Sequence, residues 1–548
     1  MIRLHAFLML KLVVLAAAAT LIACAPKVRF ADQPVVWHVQ DRQDTDEPQE
    51  NKFVRRQYWL DVYGMRRMNR ALEFHGKTPA HNTNALDEVP NSTWFTNRIG
   101  VRELTDHETK HGPVVSGRPE LPLTVTRAKG GGTRPGFFAE DARGRRFLIK
   151  FDFKKNPGMQ TGTGVIASRI FWAIGFNVPS ETLFYARREQ IEVGAGVTMS
   201  NEFHKQVPVT PEFIDAMFET SPVEPSGAYR LFASELLDGK PVGGSPNEGV
   251  RKDDANDQVP HEHRRELRGL RVFSAWLGHT DIKEDNTLDV YVEEGGTRFL
   301  KHYLVDLNEC FGSHQANMGR LEDGWEHNVD WGMQTRALFA LGLWKRPWED
   351  QKQTPWPQIG AFSADHFDPE RWRPAFPYWP FYETDAADAF WAAKIIMRFD
   401  RATLAAMVDE GEFPEPASAY LVDTLIERAR RIGMTYIDSL TPLDAFHVVD
   451  GKLCAYDLAV HYGLVTHGVV ERLERRRSER MLSRYTVDPQ GLVCFPLPMR
   501  ERYSVARLRM RRGDETRPAM EVHYKGGANP RVLGIIRVVG HAPKLRRP

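Results

Sequence analysis

The sequence predicts an α+β fold, in which a β-rich region precedes a helical region and a small all-β domain follows. Alternating strands and turns fill residues 121–152, and apolar residues recur at helical spacing in 261–277 and 385–433. Short strand-like runs separated by turns predict a sandwich-like domain over 440–548. With 548 residues and 42% hydrophobic content, the chain is long enough for several domains with their own cores.

The first 24 residues have the composition of an export signal. Arg3 and Lys11 flank a short apolar run, which continues through residues 12–19 and leads to the tetrapeptide LIAC, ending at Cys24. This tetrapeptide resembles the lipobox of bacterial lipoproteins, and the resemblance implies cleavage before Cys24 and acylation of its thiol. A plain secretory signal and a transmembrane helix are the alternatives, although the apolar run is short for a membrane span.

An acylated Cys24 defines an order of segments and a location. Residues 1–23 are then the signal peptide, 24–52 are a polar tether between membrane and body, and 53–120 are an N-terminal extension. The expected location is the cell envelope, with a lipid anchor in the outer membrane facing the periplasm or the cell surface.

The remaining cysteines and the charge balance limit other functions. If Cys24 is acylated, Cys310, Cys454 and Cys494 remain, so at most one disulfide forms and one thiol stays free. The chain has 73 Lys and Arg against 72 Asp and Glu, so we expect no nucleic-acid partner.

A glycine-rich turn and a lysine mark the β-rich region. The run KGGGTRPG, with Gly130, Gly131 and Gly132, follows one strand, and a later strand ends near FLIK at Lys150. Backbone N–H groups of a glycine turn can approach phosphates, and a lysine on a strand can pair with them. An ordinary hairpin is the alternative, because the glycines do not follow the pattern G-x-G-x-x-G.

Two further elements bear on a nucleotide site. The helix predicted over 162–175 holds no glutamate that could pair with Lys150, and Glu181 lies just beyond it. The run YRLFASELLDG is either a buried strand or a strand whose end presents backbone groups of Glu235 and Leu237 to a nucleotide base.

The octet HTDIKEDN, from His279 to Asn286, contains the candidate catalytic residues Asp281 and Lys283. An aspartate can accept the proton of an attacking hydroxyl, and an asparagine five residues later can hold a metal on nucleotide phosphates. The next predicted hairpin ends on Asp306, so Asn286 and Asp306 are the candidate metal ligands. A helix end followed by a capping turn is the alternative.

The octet resembles the catalytic loop H-R-D-L-K-P-E-N of protein kinases at its His, Asp, Lys and Asn. Six features follow one another in the order found in kinases, over about residues 121–433. They are the glycine turn, the strand lysine, the helix, the hinge-like strand, the octet and Asp306. The resemblance is to atypical bacterial kinase-like proteins of the CotH and HipA types. It implies a bilobal core, with a β-rich N-lobe at 121–240 and a helical C-lobe at 241–439. It also implies ATP and Mg or Mn as cofactors.

The chain departs from the kinase pattern at several positions, and two of its other runs resemble a different group of proteins. Leu307 and Asn308 stand where kinases have Phe and Gly, and Thr280 replaces an arginine. The runs PHEHRRELR and NTLD resemble those of uncharacterised bacterial envelope proteins. Within the first run, we expect His261 and His263 to lie on the surface.

Two classes of function follow. The first is ATP- and Mg-dependent phosphotransfer to a hydroxyl of an unknown protein or small molecule. The second is a catalytically inactive pseudokinase scaffold or binding lipoprotein, which the scarcity of ATP outside the inner membrane favours. A third alternative keeps the fold and transfers a nucleotide instead of a phosphate.

The lipid anchor is testable on its own. Cys24→Ser is expected to release the protein from membranes or to leave the precursor uncut, because the thiol that would carry the acyl chain is gone. Fractionation of cells producing each form measures this. If wild type and variant both fractionate as soluble protein, the chain has no lipid anchor.

Overall fold

The β-rich region folds into a six-stranded sheet in the computed structural model of the chain. The structure describes residues 28–72, 77–129, 136–200, 206–314, 317–318, 320–476, 479–496 and 502–539. The strands up to residue 318 are β1 (Leu123–Ala128), β2 (Gly136–Glu140), β3 (Arg146–Phe151), β4 (Glu181–Ala186), β5 (Ile191–Val193), β6 (Thr198–Ser200), β7 (Gln206–Pro208), β8 (Tyr229–Glu235), β9 (Lys240–Pro241), β10 (Thr287–Glu294), β11 (Thr297–Leu304), β12 (Ser313–His314) and β13 (Asn317–Met318).

The described chain contains helices as well as sheets. They are α1 (Arg55–Leu60), α2 (Arg66–Ala71), α3 (Asp106–His111), α4 (Met159–Ile174), α5 (Pro211–Glu219), α6 (Arg265–Leu277), α7 (Trp331–Phe339), α8 (Trp379–Glu383), α9 (Ala386–Ile396), α10 (Arg401–Asp409), α11 (Glu415–Ile432) and α12 (Leu458–His461). A π-helical turn joins α1 to α2, so the two form one continuous helix. The prediction of a chain with both helices and sheets is therefore confirmed. No helix within the described ranges has both the length and the apolar character to cross a membrane.

The six-stranded sheet has the order β4-β8-β3-β2-β1-β5, and its two faces bury different helices. One face packs Phe147 and Ile149 against Ile214 and Phe218 of α5. On the other face, Leu183 and Phe232 form a buried cluster with Val165 of α4. Successive side chains along a strand point to opposite faces of the sheet. Because Ile149 faces α5, the next residue, Lys150, lies on the face that α4 covers.

The start of α4 is fixed by a buried carboxylate. Asp152 accepts hydrogen bonds from the backbone N–H groups of Gly158, Gln160 and Thr161, at 2.8–3.0 Å. The side chain thereby satisfies N–H groups of the first helical turn that have no partner within the helix. Because β3 ends next to Asp152, this cap sets the position of α4 relative to Lys150.

The helix α6 leads into the octet and is buried along its whole length. Arg428 of α11 donates hydrogen bonds to the carbonyls of Ala275 and Trp276 at its C-terminal end, at 2.5 and 2.9 Å. Cations at this position complement the helix dipole. The octet therefore starts from a fixed point.

The predicted hairpin after the octet is confirmed. β10 and β11 pair antiparallel from Thr287↔Leu304 to Glu294↔Thr297, around the turn Gly295-Gly296. The short strand β9 pairs with β10 on the other side.

The segment 24–52 differs from the predicted tether over its described part. The backbone N–H groups of Val39, Thr45 and Asn51 donate to the carbonyls of Asn91, Arg298 and Val242, at 2.8–2.9 Å. Polar composition suggested a linker, but these backbone groups pair with distant parts of the chain, which composition does not reveal.

The expectation that His261 lies on the surface is wrong. His261 begins a 3-10 turn and is fully buried, with its Nε2 hydrogen-bonded to Asp257 at 2.8 Å. Its ring packs edge-on against Trp94, which also stacks on His302. The expectation assumed that both histidines lie on an exposed α-helical face, whereas the 3-10 turn directs His261 toward a buried carboxylate.

The described chain divides into two compact units. Residues 28–36, 85–87 and 440–539 form one, and residues 37–72, 77–84 and 88–439 belong to the other. The smaller unit contains β14 (Leu443–Val449), β15 (Lys452–Asp457), β16 (Val469–Arg476), β17 (Glu479–Thr486), β18 (Leu492–Phe495), β19 (Tyr503–Arg512), β20 (Glu515–Thr516), β21 (Ala519–Lys525) and β22 (Arg531–Val539).

Two sheets of the smaller unit share one core. The orders are β14-β15-β18 and β17-β16-β19-β21-β22, and Leu453 and Val493 of the first belong to the same buried cluster as Leu508 and Val522 of the second. Sequence reasoning missed β16 and β17, because their charged runs, VVERLERR and ERMLSRYT, lack clear alternation.

The cysteines pair once within the described chain. Cys454 and Cys494 form a disulfide across β15 and β18, and Cys310 is a free, buried thiol. This agrees with the expected limit of one disulfide.

The contact between α6 and α9 makes a stability prediction. Gly269→Ala is expected to lower the free energy of unfolding by about 1–3 kcal/mol, because its Cβ would lie 2.7 Å from the buried ring of Trp391. Gly64→Ala is the control, since nothing lies within 4 Å of its Cβ and alanine favours the helix by about 1 kcal/mol. Urea denaturation followed by circular dichroism measures both. Equal or higher stability of Gly269→Ala would contradict this packing.

Candidate active site around Lys150, Asp281 and Asp306

A partly buried ion pair joins two candidate residues that lie 156 positions apart. Lys150 Nζ on β3 donates to Asp306 Oδ1 at 2.6 Å and to Asn308 Oδ1 at 3.0 Å. The Lys150 side chain is 6% exposed, whereas that of Asp306 is 42% exposed. Asp306 follows β11 with a φ of 57°, a left-handed conformation that aspartate tolerates better than most residues. The pair is therefore open to solvent on its Asp306 side.

Asn308 binds Lys150 where the sequence offered no helix glutamate. Its Nδ2 donates to the Gln160 carbonyl of α4 at 2.9 Å, while its Oδ1 accepts from Lys150. A Cβ at Gly164 would lie 2.4 Å from Asn308 Nδ2, so glycine is required for this approach. Sequence reasoning missed Asn308; its place two residues after Asp306 was the available signal.

Glu181, at the start of β4, lies near the same ion pair. Its carboxyl is fully buried, and Ser234 Oγ donates to Oε1 at 3.3 Å. Within the described chain, its Oε2 has no hydrogen-bond partner. Burial raises the pKa of Glu181 to about 8, although the charge of Lys150 lowers it and that of Asp306 raises it further. Glu181 is therefore neutral at neutral pH.

The catalytic-loop candidates Asp281, Lys283 and Asn286 are brought together. Lys283 Nζ and Asn286 Nδ2 both donate to Asp281 Oδ2, at 2.5 and 2.8 Å. Asn286 Nδ2 also donates to the Asp281 carbonyl at 2.7 Å. No described residue donates a hydrogen bond to Asp281 Oδ1. One carboxylate oxygen is therefore fixed while the other remains available to a ligand.

Two contacts tie this loop to the segment around Asp306. His279 is buried, and its Nδ1 forms a hydrogen bond of 3.1 Å with the Glu309 carbonyl. The Val305 N–H donates to the Asn286 carbonyl at 3.0 Å. The octet and the end of β11 are thus held against each other.

The carboxyl of Asp285 reports the charge of this site. Burial raises its pKa, Lys283 lowers it, and the negative charges of Asp281 and Asp306 raise it further. The contacts agree with this, because Asn286 donates to Asp281 Oδ2 and its carbonyl accepts a hydrogen bond from Val305, the residue before Asp306. Asp281 and Asp306 therefore belong to one acidic site.

The donor atoms suit a hard divalent cation in kind but are not arranged as a finished metal site. Asp306 offers a carboxylate and Asn286 an amide oxygen, the ligand types that Mg prefers. Among the described residues, no group of three or more His, Cys, Asp and Glu side chains is placed to hold a metal. A cation at Asp306 would have to compete with Lys150 for Oδ1.

The hinge-like residues line a separate cavity. Glu235 and Leu237 face a cavity of about 690 Å³, whose lining does not include Lys150 or Asp306. The Glu235 N–H donates to the Ser180 carbonyl at 2.9 Å, so the sheet already uses this donor.

Four predicted residues lie outside the described ranges. They are Gly130, Gly131 and Gly132 of the glycine turn and Cys24 of the proposed anchor.

Comparison with known proteins adds little to this geometry. No protein-family model matches the chain, and no curated protein matches it. A crystal structure of the Golgi casein kinase with Mn and ADP bound is similar over 60% of this chain and 74% of that one, at 9% identity and a TM-score of 0.28. A second crystal structure of the Golgi casein kinase is similar over 59% of this chain and 75% of that one, at 9% identity and a TM-score of 0.21. Both TM-scores are too low to establish a shared fold.

The neutral state of Glu181 makes a pH prediction. Between its ordinary pKa of 4.5 and about 8, the unfolded chain loses this proton while the folded chain keeps it. Stability should therefore fall as pH rises through this window, by up to about 1.4 kcal/mol per pH unit. Glu181→Gln, which stays neutral, should show a flatter dependence of the free energy of unfolding on pH.

Urea denaturation between pH 5 and 8 measures the effect. Glu192→Gln, at an exposed position of β5, serves as the control and should keep the wild-type slope. Parallel curves for wild type and Glu181→Gln would show that Glu181 is not held neutral.

Proposed function

We propose that this chain is a lipid-anchored envelope protein whose kinase-like core transfers the γ-phosphoryl group of ATP to a hydroxyl of a protein or small molecule. The observation that carries the proposal is the Lys150–Asp306 ion pair of 2.6 Å beside the Asp281 loop. A strand lysine, a metal-binding carboxylate and a loop aspartate are the parts that phosphoryl transfer requires.

Asp281 is the proposed general base. Its Oδ2 is fixed by Lys283 and Asn286, which leaves Oδ1 to accept the proton of the acceptor hydroxyl. The hydroxyl oxygen then bonds to the γ-phosphorus as the bond from that phosphorus to the β–γ bridging oxygen breaks, and ADP leaves. Lys283 is placed to compensate negative charge beside Asp281.

Lys150, Asp306 and Asn286 are the proposed phosphate and metal ligands. A bound Mg or Mn ion would neutralise charge on the phosphate oxygens. Lys150 would exchange Asp306 for a phosphate, and Asp306 would then be released to the cation. Glu235 and Leu237 are the residues proposed to contact the nucleotide base of ATP.

A catalytically inactive scaffold is the second candidate. Lys150 is already paired with Asp306, and the Glu235 N–H is already bonded within the sheet. Both contacts must be broken for nucleotide to bind as proposed, so the resting geometry favours this alternative.

The envelope location remains a proposal that rests on Cys24. The Cys454–Cys494 disulfide supports it, because disulfides persist in oxidising compartments outside the cytosol. The membrane is thus the proposed partner of the N-terminus.

Variants separate binding from transfer. Asp306→Asn is expected to abolish Mg-dependent nucleotide binding, because the cation loses its carboxylate. Asp281→Asn should retain binding and lower the transfer rate by about 100- to 10,000-fold, as loss of a general base does. Thermal shift with ATP and Mg or Mn measures binding, and labelled ATP with envelope extract measures transfer.

Asp215→Asn is the control. Asp215 belongs to α5, away from the octet, and it forms an ion pair with Arg188. A wild-type protein that binds nucleotide without transferring phosphate would support the scaffold. Absence of nucleotide binding with either metal would refute both the phosphotransfer and the nucleotide roles of Lys150 and Asp306.

A further inference from the structure

The continuous helix α1–α2 exposes one apolar side. Its inner residues Tyr58 and Val62 are buried in a cluster with Phe376. Its outer side carries large apolar residues that are each 60–73% exposed, namely Leu60, Met65, Met68 and Leu72. Large apolar side chains in such a row are unusual on a water-facing surface.

A second segment has the same character. At the end of α7 and just beyond it, four large apolar side chains are 71–92% exposed, namely Leu338, Phe339, Leu341 and Leu343. Arg67 of α2 donates a hydrogen bond of 3.4 Å to the carbonyl of Val329, two residues before Trp331 at the start of α7. The chain just before α7 therefore contacts α2, and we call the eight exposed apolar residues of the two segments the apolar patch.

The charged residues of the continuous helix α1–α2 are arginines except for Asp61, which forms an ion pair with Arg66. Arg55, Arg56 and Arg67 lie on the first segment and Arg336 on the second. No carboxylate of the described ranges forms a salt bridge with any of these four. Arg55 and Arg336 instead cover the rings of Trp59 and Trp344, at 4.9 and 4.3 Å. Apolar residues bordered by arginine and tryptophan are typical of helices that lie in the interface of an anionic bilayer.

We propose that the apolar patch lies in the head-group region of an anionic lipid bilayer and fixes which side of the larger unit faces it. The proposed acylation of Cys24 would hold the chain at a membrane, and the patch would then add a second, reversible contact.

This orientation bears on the acceptor. Arg66 of α2 forms an ion pair of 3.6 Å with the carboxylate of Glu284, which belongs to the octet. The apolar patch therefore borders the catalytic-loop octet, and an acceptor hydroxyl at the membrane surface would lie on the side of Asp281. This last step rests on the proposed phosphotransfer; the membrane contact does not.

Single cysteines carrying an environment-sensitive fluorophore test the contact in the full processed chain. Leu72→Cys and Leu341→Cys place the label in the two segments of the patch, and Val115→Cys places it at an exposed position outside the patch. Cys310 is buried and Cys454 is bonded to Cys494, so the parent chain supplies the labelling blank. The vesicles contain phosphatidylethanolamine and phosphatidylglycerol, with and without brominated tails.

The expected result is flotation with the vesicles, a blue shift at Leu72→Cys and Leu341→Cys with quenching by brominated tails, and no change at Val115→Cys. Flotation without these shifts would support the lipid anchor at Cys24 and overturn the contact of the apolar patch with the bilayer. Failure to float would overturn both. A blue shift without vesicles that grows with protein concentration would identify a second copy as the occupant. Nucleotide is absent throughout, so loss of the proposed phosphotransfer would not alter any of these outcomes.

Discussion

The ion pair between Lys150 and Asp306 is the constraint on which the site depends. A buried ammonium group is costly unless a carboxylate and hydrogen-bond acceptors surround it. Asp306 supplies the charge and Asn308 the second acceptor, and both come from the segment that follows the hairpin. The strand β3, the helix α4 and the end of β11 must therefore come together for Lys150 to be tolerated.

The same pair explains the charge state of its surroundings. Because Lys150 is already neutralised by Asp306, Glu181 gains too little from the lysine to offset its own burial, and it stays protonated. Burial also raises the pKa of the Asp285 carboxyl, Lys283 lowers it, and the negative charges of Asp281 and Asp306 raise it further. The site is thus nearly self-neutralised at rest, and a ligand that carries both a cation and phosphates would replace each partner with an equivalent charge.

The runs PHEHRRELR and NTLD have a structural role in this chain. His261 of PHEHRRELR bonds to Asp257, and Asp289 of NTLD bonds to His302. The rings of His261 and His302 both contact the Trp94 ring. Buried charges of this kind need partners, and the network places β10 and β11 next to α6. These runs therefore support the position of the octet, and they need not touch a substrate to be important.

The sequence alone determined the elements whose signals are local. Hydrophobic periodicity and turn residues were enough for β1 to β3, for α6 and for the hairpin β10–β11, and the octet spacing singled out Asp281, Lys283 and Asn286 as one group. Only the tertiary structure decided which partner Lys150 takes, why Gly164 must be glycine, that His261 is buried and that residues 37–52 are packed. The physical reason is the same in each case. These outcomes depend on side chains and backbone groups that are far apart in the chain, and local periodicity holds no information about which of them meet.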